Sequence, residues 1–332
     1  MTEAFWYPDA IDARSGMVRL CQTGRAAIAA AAFLDERWDR TGLPVRQERI
    51  DALRPAGQPV PMVFIWHSAF CCSTLLARCL DRPGANFSLK EPAALMEVAN
   101  IKRMQGEAAA QGWLQRLLPV LGQAPAGEGH VTIKPTNTVN NLIGDVMRLL
   151  PDSRHLFLTS NLKAFLVSIA KKGESGRSFA RRLFTIFAMD GHPVAKMDQR
   201  QLLQMSDLQI AAIVWHMQVA SMLAGLKADD ASRTASLDGD RFVKRPAEAL
   251  AAVDGFFGLE LGSEVTAEVA SGPLFRRDAK DASQAYGPGR RAKDADKIAK
   301  SLGPELDAII EWSYSLFPAS PRDGILPRAL IT

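Results

Sequence analysis

The chain has 332 residues, 47% of them hydrophobic and 23% charged, with a formal net charge of +4. That length can bury one large α/β core, or one and a half, in an ordinary globular composition. The small basic excess suits an anionic ligand but is too weak to imply nucleic acid, and no basic run interleaved with aromatics marks a single-strand binder.

The N-terminus, MTEAFWYPDA, has neither the basic head nor the apolar core of a secretory signal. No apolar run reaches the roughly 18 residues of a membrane span, and the longest, Ala26–Leu34, is short and alanine-rich. A cytoplasmic protein is expected. Four cysteines, Cys21, Cys71, Cys72 and Cys79, fit no zinc spacing and read as reduced thiols, so no metal is implied.

Residues 1–55 read as an N-terminal extension packed on a main domain of residues 56–320. Trp6-Tyr7-Pro8 and Met17–Leu20 suggest short strands, and Ala26–Trp38 a helix with an alanine-rich face. Arg54–Pro61, with three prolines and a glycine, is a linker.

The stretch Val60–Leu80 follows. An apolar run, Met62–Trp66, stops at His67-Ser68, a loop of small residues and one Phe continues to Cys72, and Ser73-Thr74 opens an apolar helical pattern. Strand, loop and helix in that order make an anion site in an open parallel sheet, because the first helical amides lack partners and the helix dipole is positive there. The loop is not a Walker A motif: in the G-x-x-x-x-G-K-[ST] register, His67 and Cys72 stand for the glycines and Ser73 for the lysine.

Further strands are expected at Phe87–Leu89, His130–Ile133, His155–Leu158 and Thr234–Leu237. Helices are expected over Ala93–Met104, Gln111–Leu121, Val139–Leu150, Leu162–Ala170, Phe179–Phe187, Leu208–Leu226 and Pro246–Phe257, the last stopped by Gly258. Phe275–Arg291 reads as a basic, loop-rich segment, and Asp294–Trp312 as a helix in two pieces, broken at Gly303-Pro304. Alternating strands and helices give a three-layer α/β sandwich around a central parallel sheet.

Four segments together resemble the sulfotransferase family, P-loop-related enzymes that use 3′-phosphoadenosine 5′-phosphosulfate. They are Phe70–Leu76 (FCCSTLL), like the phosphosulfate loop; Leu89–Pro92 (LKEP); Ile133–Ser168, with K-x-P, then PDSR, a strand and a helix carrying a Ser; and Leu237–Leu259. The resemblance spans about Met62 to Trp312. It implies a P-loop NTPase-like, sulfotransferase-like fold, the phosphosulfate nucleotide as co-substrate, and a small-molecule or glycan acceptor. The sequence departs from the pattern at the strongest charge contacts. Phe70 stands where the family places a Lys or Arg, Cys72 replaces the loop Gly, and Ser160 replaces the Arg that grips the 3′-phosphate.

On this basis Ser68, Cys71, Cys72, Ser73 and Thr74 are candidate contacts to the 5′-phosphosulfate, and Ser160, Ser168, Arg276 and Arg277 to the 3′-phosphate. Glu91 and His67 are candidate bases for the acceptor proton. Lys134, at a strand end before Pro135, is the first candidate for the missing cation, and Lys90 the second. The leading function is sulfuryl transfer to a hydroxyl or amine. A non-catalytic nucleotide-binding module and a P-loop phosphotransferase are the alternatives, the latter lacking a Walker Lys and an assignable Mg²⁺-binding Asp.

Overall fold

A computed structural model of the chain describes residues 4–192, 197–276 and 288–332. Strands β1 (Phe5–Asp12), β2 (Met17–Thr23) and β3 (Val45–Arg49) form an antiparallel sheet from the N-terminal extension. Strands β4 (Met62–His67), β5 (Asn86–Lys90), β6 (His130–Lys134), β7 (Arg154–Thr159) and β8 (Thr234–Asp238) form a parallel sheet in the order β5-β6-β4-β7-β8. β4 lies at its centre with every residue buried. An unbroken apolar run is what a parallel strand covered on both faces requires.

After β4 the chain passes to the edge strand β5, returns through β6, then crosses to β7 and β8. The direction reverses beside β4, the switch point at which open α/β sheets place a ligand crevice. Val63, Ile65, Leu156, Leu158, Ala235 and Leu237 pack with the Ser73–Leu80 and Pro246–Phe257 helices on one face. Phe64, Trp66 and Phe157 face the other core, which includes the 22-residue Asp207–Ala228 helix. Each fully buried aromatic or Leu side chain contributes about 1.5–3 kcal/mol. The Asp207–Ala228 helix is long and apolar enough to cross a bilayer by length and composition, with 72% of its most apolar window buried inside the protein. Trp215 lies fully within that core.

Three stretches differ from the sequence reading. The helix expected over Ala26–Trp38 covers only Arg25–Ala30. Beyond it the Leu34 amide bonds the Lys90 carbonyl and the Ala93 amide bonds the Leu34 carbonyl, so tertiary backbone pairing replaces helical bonds. Residues 137–149 begin as a 3-10 turn, Asn137–Leu142, before the helix Ile143–Leu149. At the C-terminus one helix, Pro288–Leu316, runs through Pro304. Burial of Leu306, Ile309 and Tyr314 offsets the lost hydrogen bond. Past residue 320 the chain returns to the sheet: Ala329 bridges Ser236 in parallel register and covers the β8 edge.

Candidate active site

The loop from β4 to the Ser73–Leu80 helix is the strained part of the sheet edge. Ala69 (φ 65°), Phe70 (φ 53°) and Cys72 (φ 64°) all adopt left-handed backbone, at about 1–2 kcal/mol each for non-glycine residues. Consecutive turn residues of this kind are the backbone from which anion-binding concavities are built. The surroundings hold the loop in this form. The Ser68 amide donates to the Leu158 carbonyl (3.2 Å), and the Ser68 and Thr159 hydroxyls share a hydrogen bond (3.0 Å). Ser73 and Thr74, both buried, form the first turn of the helix.

His67 braces this loop. Its Nε2–H donates to the Pro135 carbonyl (2.9 Å), which fixes the tautomer, and its Nδ1 accepts the Ala69 amide (3.0 Å). Both ring nitrogens are therefore engaged, and the structure gives His67 the work of shaping the loop rather than taking a proton. Cys71 is fully buried, its Sγ directed at the Leu158 carbonyl (3.3 Å), and burial pushes its thiol up to about 11. It contributes backbone to the loop and no nucleophile. Cys72 is the helix N-cap.

Phe70 lies in an aromatic cluster. Its ring packs edge-on against Phe165 (5.7 Å) and Phe179 (5.6 Å), with the Lys172 ammonium 6.0 Å from its centroid. Lys172, missed by sequence reasoning, is an exposed cation beside the loop. Its signal, a Lys ten residues after the start of the helix that follows β7, is too common to single out.

The second focus lies at the ends of β5 and β6. Lys90 and Lys134 are register partners, and both are fully buried. Lys134 Nζ forms an ion pair with Glu91 Oε1, and the carbonyl of the next residue, Pro135, bonds His67 at the start of the loop. Glu91 itself has left-handed backbone (φ 57°). Its Oε2 accepts from Arg37 Nη2 (2.9 Å). Arg37 is also paired with Asp35 and lies 3.6 Å over the Phe33 ring, and Lys134 Nζ is 5.7 Å from the same ring. Glu91 is thus held between two cations, one from the sheet and one from the N-terminal extension. Lys90 turns away to the extension: its Nζ donates to the Ile28 and Ala29 carbonyls (3.1 and 3.2 Å), capping the Arg25–Ala30 helix. Burial lowers its ammonium to about 8.

At the third focus, Ser160 is fully buried and its hydroxyl has no hydrogen-bond partner among the described residues, while its carbonyl accepts from Trp215 Nε1 (2.9 Å). Asn140, whose Nδ2 donates to the His67 carbonyl (3.2 Å), likewise leaves its buried Oδ1 unpartnered among the described residues. The Asn-rich run after β6, TNTVNN, is a signal that sequence reasoning passed over. Ser168 turns its hydroxyl back onto the Ala164 carbonyl (2.8 Å) within its own helix. Arg276 is exposed and donates to the Ser271 carbonyl (3.3 Å), and Arg277 lies outside the described residues. The structure therefore places Ser68, Cys71 and Cys72 in the loop and Ser73 and Thr74 in the first helical turn after it, and pairs Lys134 with Glu91 next to Pro135, which bonds His67.

No protein-family model matches the sequence, and no curated protein matches it significantly. Solved sulfotransferases are similar in structure. The sulfotransferase domain from the curacin biosynthetic pathway has 13% identity over 74% of this chain and 99% of its own, with a TM-score of 0.42. The sulfotransferase domain from the Synechococcus PCC 7002 olefin synthase has 14% identity over 75% and 97%, with a TM-score of 0.40. A sulfotransferase from Alicyclobacillus acidocaldarius has 12% identity over 78% and 96%, also with a TM-score of 0.40. This is a likeness of fold, and it transfers no residue's role.

Proposed function

We propose that the protein transfers a sulfuryl group from 3′-phosphoadenosine 5′-phosphosulfate to a hydroxyl or amine. The observation that carries the reading is the Ser68–Cys72 loop, with three left-handed residues ahead of a helix N-terminus, and the buried Lys134–Glu91 pair next to Pro135, which bonds His67. In this reading the loop amides and the Ser73 and Thr74 hydroxyls hold the sulfuryl and 5′-phosphate oxygens. Lys134 supplies the cation that Phe70 does not. The acceptor heteroatom attacks sulfur in line, a new S–O or S–N bond forms, and the S–O bond to the 5′-phosphate breaks. The nucleotide bisphosphate leaves with that electron pair, and Glu91 takes the acceptor proton. Ser160, Ser168, Arg276 and Arg277 are the proposed 3′-phosphate contacts.

A binding-only protein is the second reading. It is favoured by the Phe70 ring lying in an aromatic cluster and by the engagement of Lys134 with Glu91. The deciding experiment has two parts. Melting shifts with 3′-phosphoadenosine 5′-phosphate and with ATP/Mg²⁺ identify the nucleotide; a ligand at 100 times Kd stabilises by about 2.7 kcal/mol. Transfer of ³⁵S from labelled phosphosulfate nucleotide to an acceptor panel then separates enzyme from binder. Binding of the bisphosphate without transfer to any acceptor selects the second reading. Stabilisation by ATP/Mg²⁺ alone removes the sulfuryl-transfer reading.

A further inference from the structure

Three contacts fix Glu91, the proposed base. Its amide donates to the Lys134 carbonyl (2.7 Å), Lys134 Nζ pairs with Oε1, and Arg37 Nη2 donates to Oε2 (2.9 Å). The carboxylate plane of a glutamate otherwise turns over a broad range about its last torsion, and donors on opposite oxygens remove that freedom. Arg37 is itself held. Its Nε donates to both oxygens of Asp35 (2.8 and 3.0 Å), its Nη2 also pairs with Asp35, and its amide donates to Asp35 Oδ1 (3.0 Å). The guanidinium lies 3.6 Å over the Phe33 ring, and the Leu34 backbone fastens residues 33–37 to the end of β5. One Nη2 thus spans two carboxylates while Nε keeps the fork on Asp35. A planar guanidinium does this and a single ammonium does not. The Asp35 and Glu91 side chains are only 11% exposed, whereas that of Arg37 is 51% exposed and within reach of solutes.

We infer that Arg37 is a positioning residue of the transfer reaction, which sets the Glu91 carboxylate in the orientation that takes the acceptor proton. The inference rests on the sulfuryl-transfer reading. The proton passes from the acceptor heteroatom to a Glu91 oxygen as the new bond to sulfur forms, and Arg37 touches neither reacting atom. Its hydrogen bonds among the described residues go to Asp35 and Glu91, and none goes to residues 67–74. Losing Arg37 therefore acts on the proton step and spares nucleotide binding. Misplacing a reacting group by about 1 Å costs about 100-fold in rate. The N-terminal extension is thereby part of the active site, through one side chain.

The test is steady-state transfer of ³⁵S from the labelled phosphosulfate nucleotide to 2-naphthol, glucosamine and hexylamine by the full chain, with calorimetric binding of 3′-phosphoadenosine 5′-phosphate alongside. Arg37→Ala is expected to lower kcat by about 10–100-fold, with bisphosphate affinity within twofold of wild type. Guanidinium ion at millimolar concentration, far below denaturing levels, should raise the rate of Arg37→Ala at least fivefold and leave the wild type unchanged. Arg37→Lys should remain impaired. Arg37→Ala added to Glu91→Gln should lower kcat no further, because nothing is left to position. A wild-type kcat in Arg37→Ala overturns the inference, as does a loss that multiplies with that of Glu91→Gln, the mark of a structural role. Should Glu91→Gln not fold, the guanidinium rescue decides, and no recovery overturns the inference. If the wild type labels none of the three acceptors, the sulfuryl-transfer reading itself fails and takes the inference with it.

Discussion

Gly239 lies against the carbonyl of Cys71: a Cβ on Gly239 would come within 2.4 Å of that oxygen. The first residue after β8 thus touches the backbone of the loop that follows β4, two strands away, and only a glycine permits the contact. The oxygen belongs to main chain already locked by its left-handed neighbours, so it cannot swing aside as a side chain would.

Gly239→Ala is therefore expected to push on the loop. Overpacking of this kind costs about 1–3 kcal/mol, and here the displaced atoms form the proposed phosphosulfate cradle. Bisphosphate affinity should fall by at least tenfold, together with a lowered urea midpoint. Unchanged affinity in a folded Gly239→Ala protein would separate the loop from ligand binding.

The Lys134–Glu91 pair makes an unequal prediction for its two partners. Glu91→Gln leaves the Lys134 ammonium buried without its carboxylate, a situation that costs about 3–5 kcal/mol. Lys134→Met leaves Glu91 with Arg37 still bound to it, and should cost less. The double variant should be more stable than the sum of the two losses predicts. Urea unfolding of the three proteins measures the coupling, and additivity within about 0.5 kcal/mol would mean that the pair is not energetically joined.

This pair also marks how far sequence reasoning reaches. The sheet strands were legible because apolar runs such as Met62–Trp66 and His155–Leu158 have no other stable place than a covered parallel sheet. The turn at His67-Ser68 was legible because the run stops there abruptly. Lys90 and Lys134 look alike in sequence, each ending a strand. The structure parts them, because the partner of Lys90 is a pair of helix carbonyls and the partner of Lys134 is a carboxylate, all contributed from elsewhere in the chain. The contribution of Arg37 was illegible for a similar reason. Alanine-rich composition predicts a longer helix than Arg25–Ala30, and only the backbone bonds of Leu34 reveal that the chain turns toward β5.

Two buried histidines should make stability fall on the acid side of neutrality. His155 accepts from Trp66 Nε1 on Nδ1 (3.1 Å) and meets the Ser153 hydroxyl at Nε2 (2.8 Å), and burial lowers it to about 3. His216 lies between the Ser320 and Ser313 hydroxyls, stacked on Phe317, and burial lowers it to about 4. A folded pKa below the unfolded value of about 6.5 means that the unfolded chain binds protons first. Their contribution is fully present above pH 6.5 and is lost as the pH falls toward 4 and then 3. At pH 5 each group accounts for about 2 kcal/mol of that loss. Urea midpoints measured from pH 7.5 to 5 should show the decline, and His216→Phe should flatten its slope. A parallel decline in wild type and variant would assign the effect to other groups.

Ser160 offers the test that separates a ligand contact from a structural serine. Its hydroxyl is buried without a partner among the described residues, and a polar group in that state is a net cost to the folded protein. Removing it should leave stability unchanged or raise it slightly, because no hydrogen bond is lost. If instead the hydroxyl is kept for a phosphate of the nucleotide, its loss removes a bond to a charged group, worth about 1.5–3 kcal/mol. Ser160→Ala is accordingly expected to melt at or above the wild-type temperature while binding 3′-phosphoadenosine 5′-phosphate about 10–100-fold more weakly. Adenosine 5′-phosphate, which lacks the 3′ group, should bind the two proteins equally. A variant that loses affinity for both nucleotides alike would place Ser160 away from the 3′-phosphate, and one that binds both as the wild type does would leave its hydroxyl without a ligand.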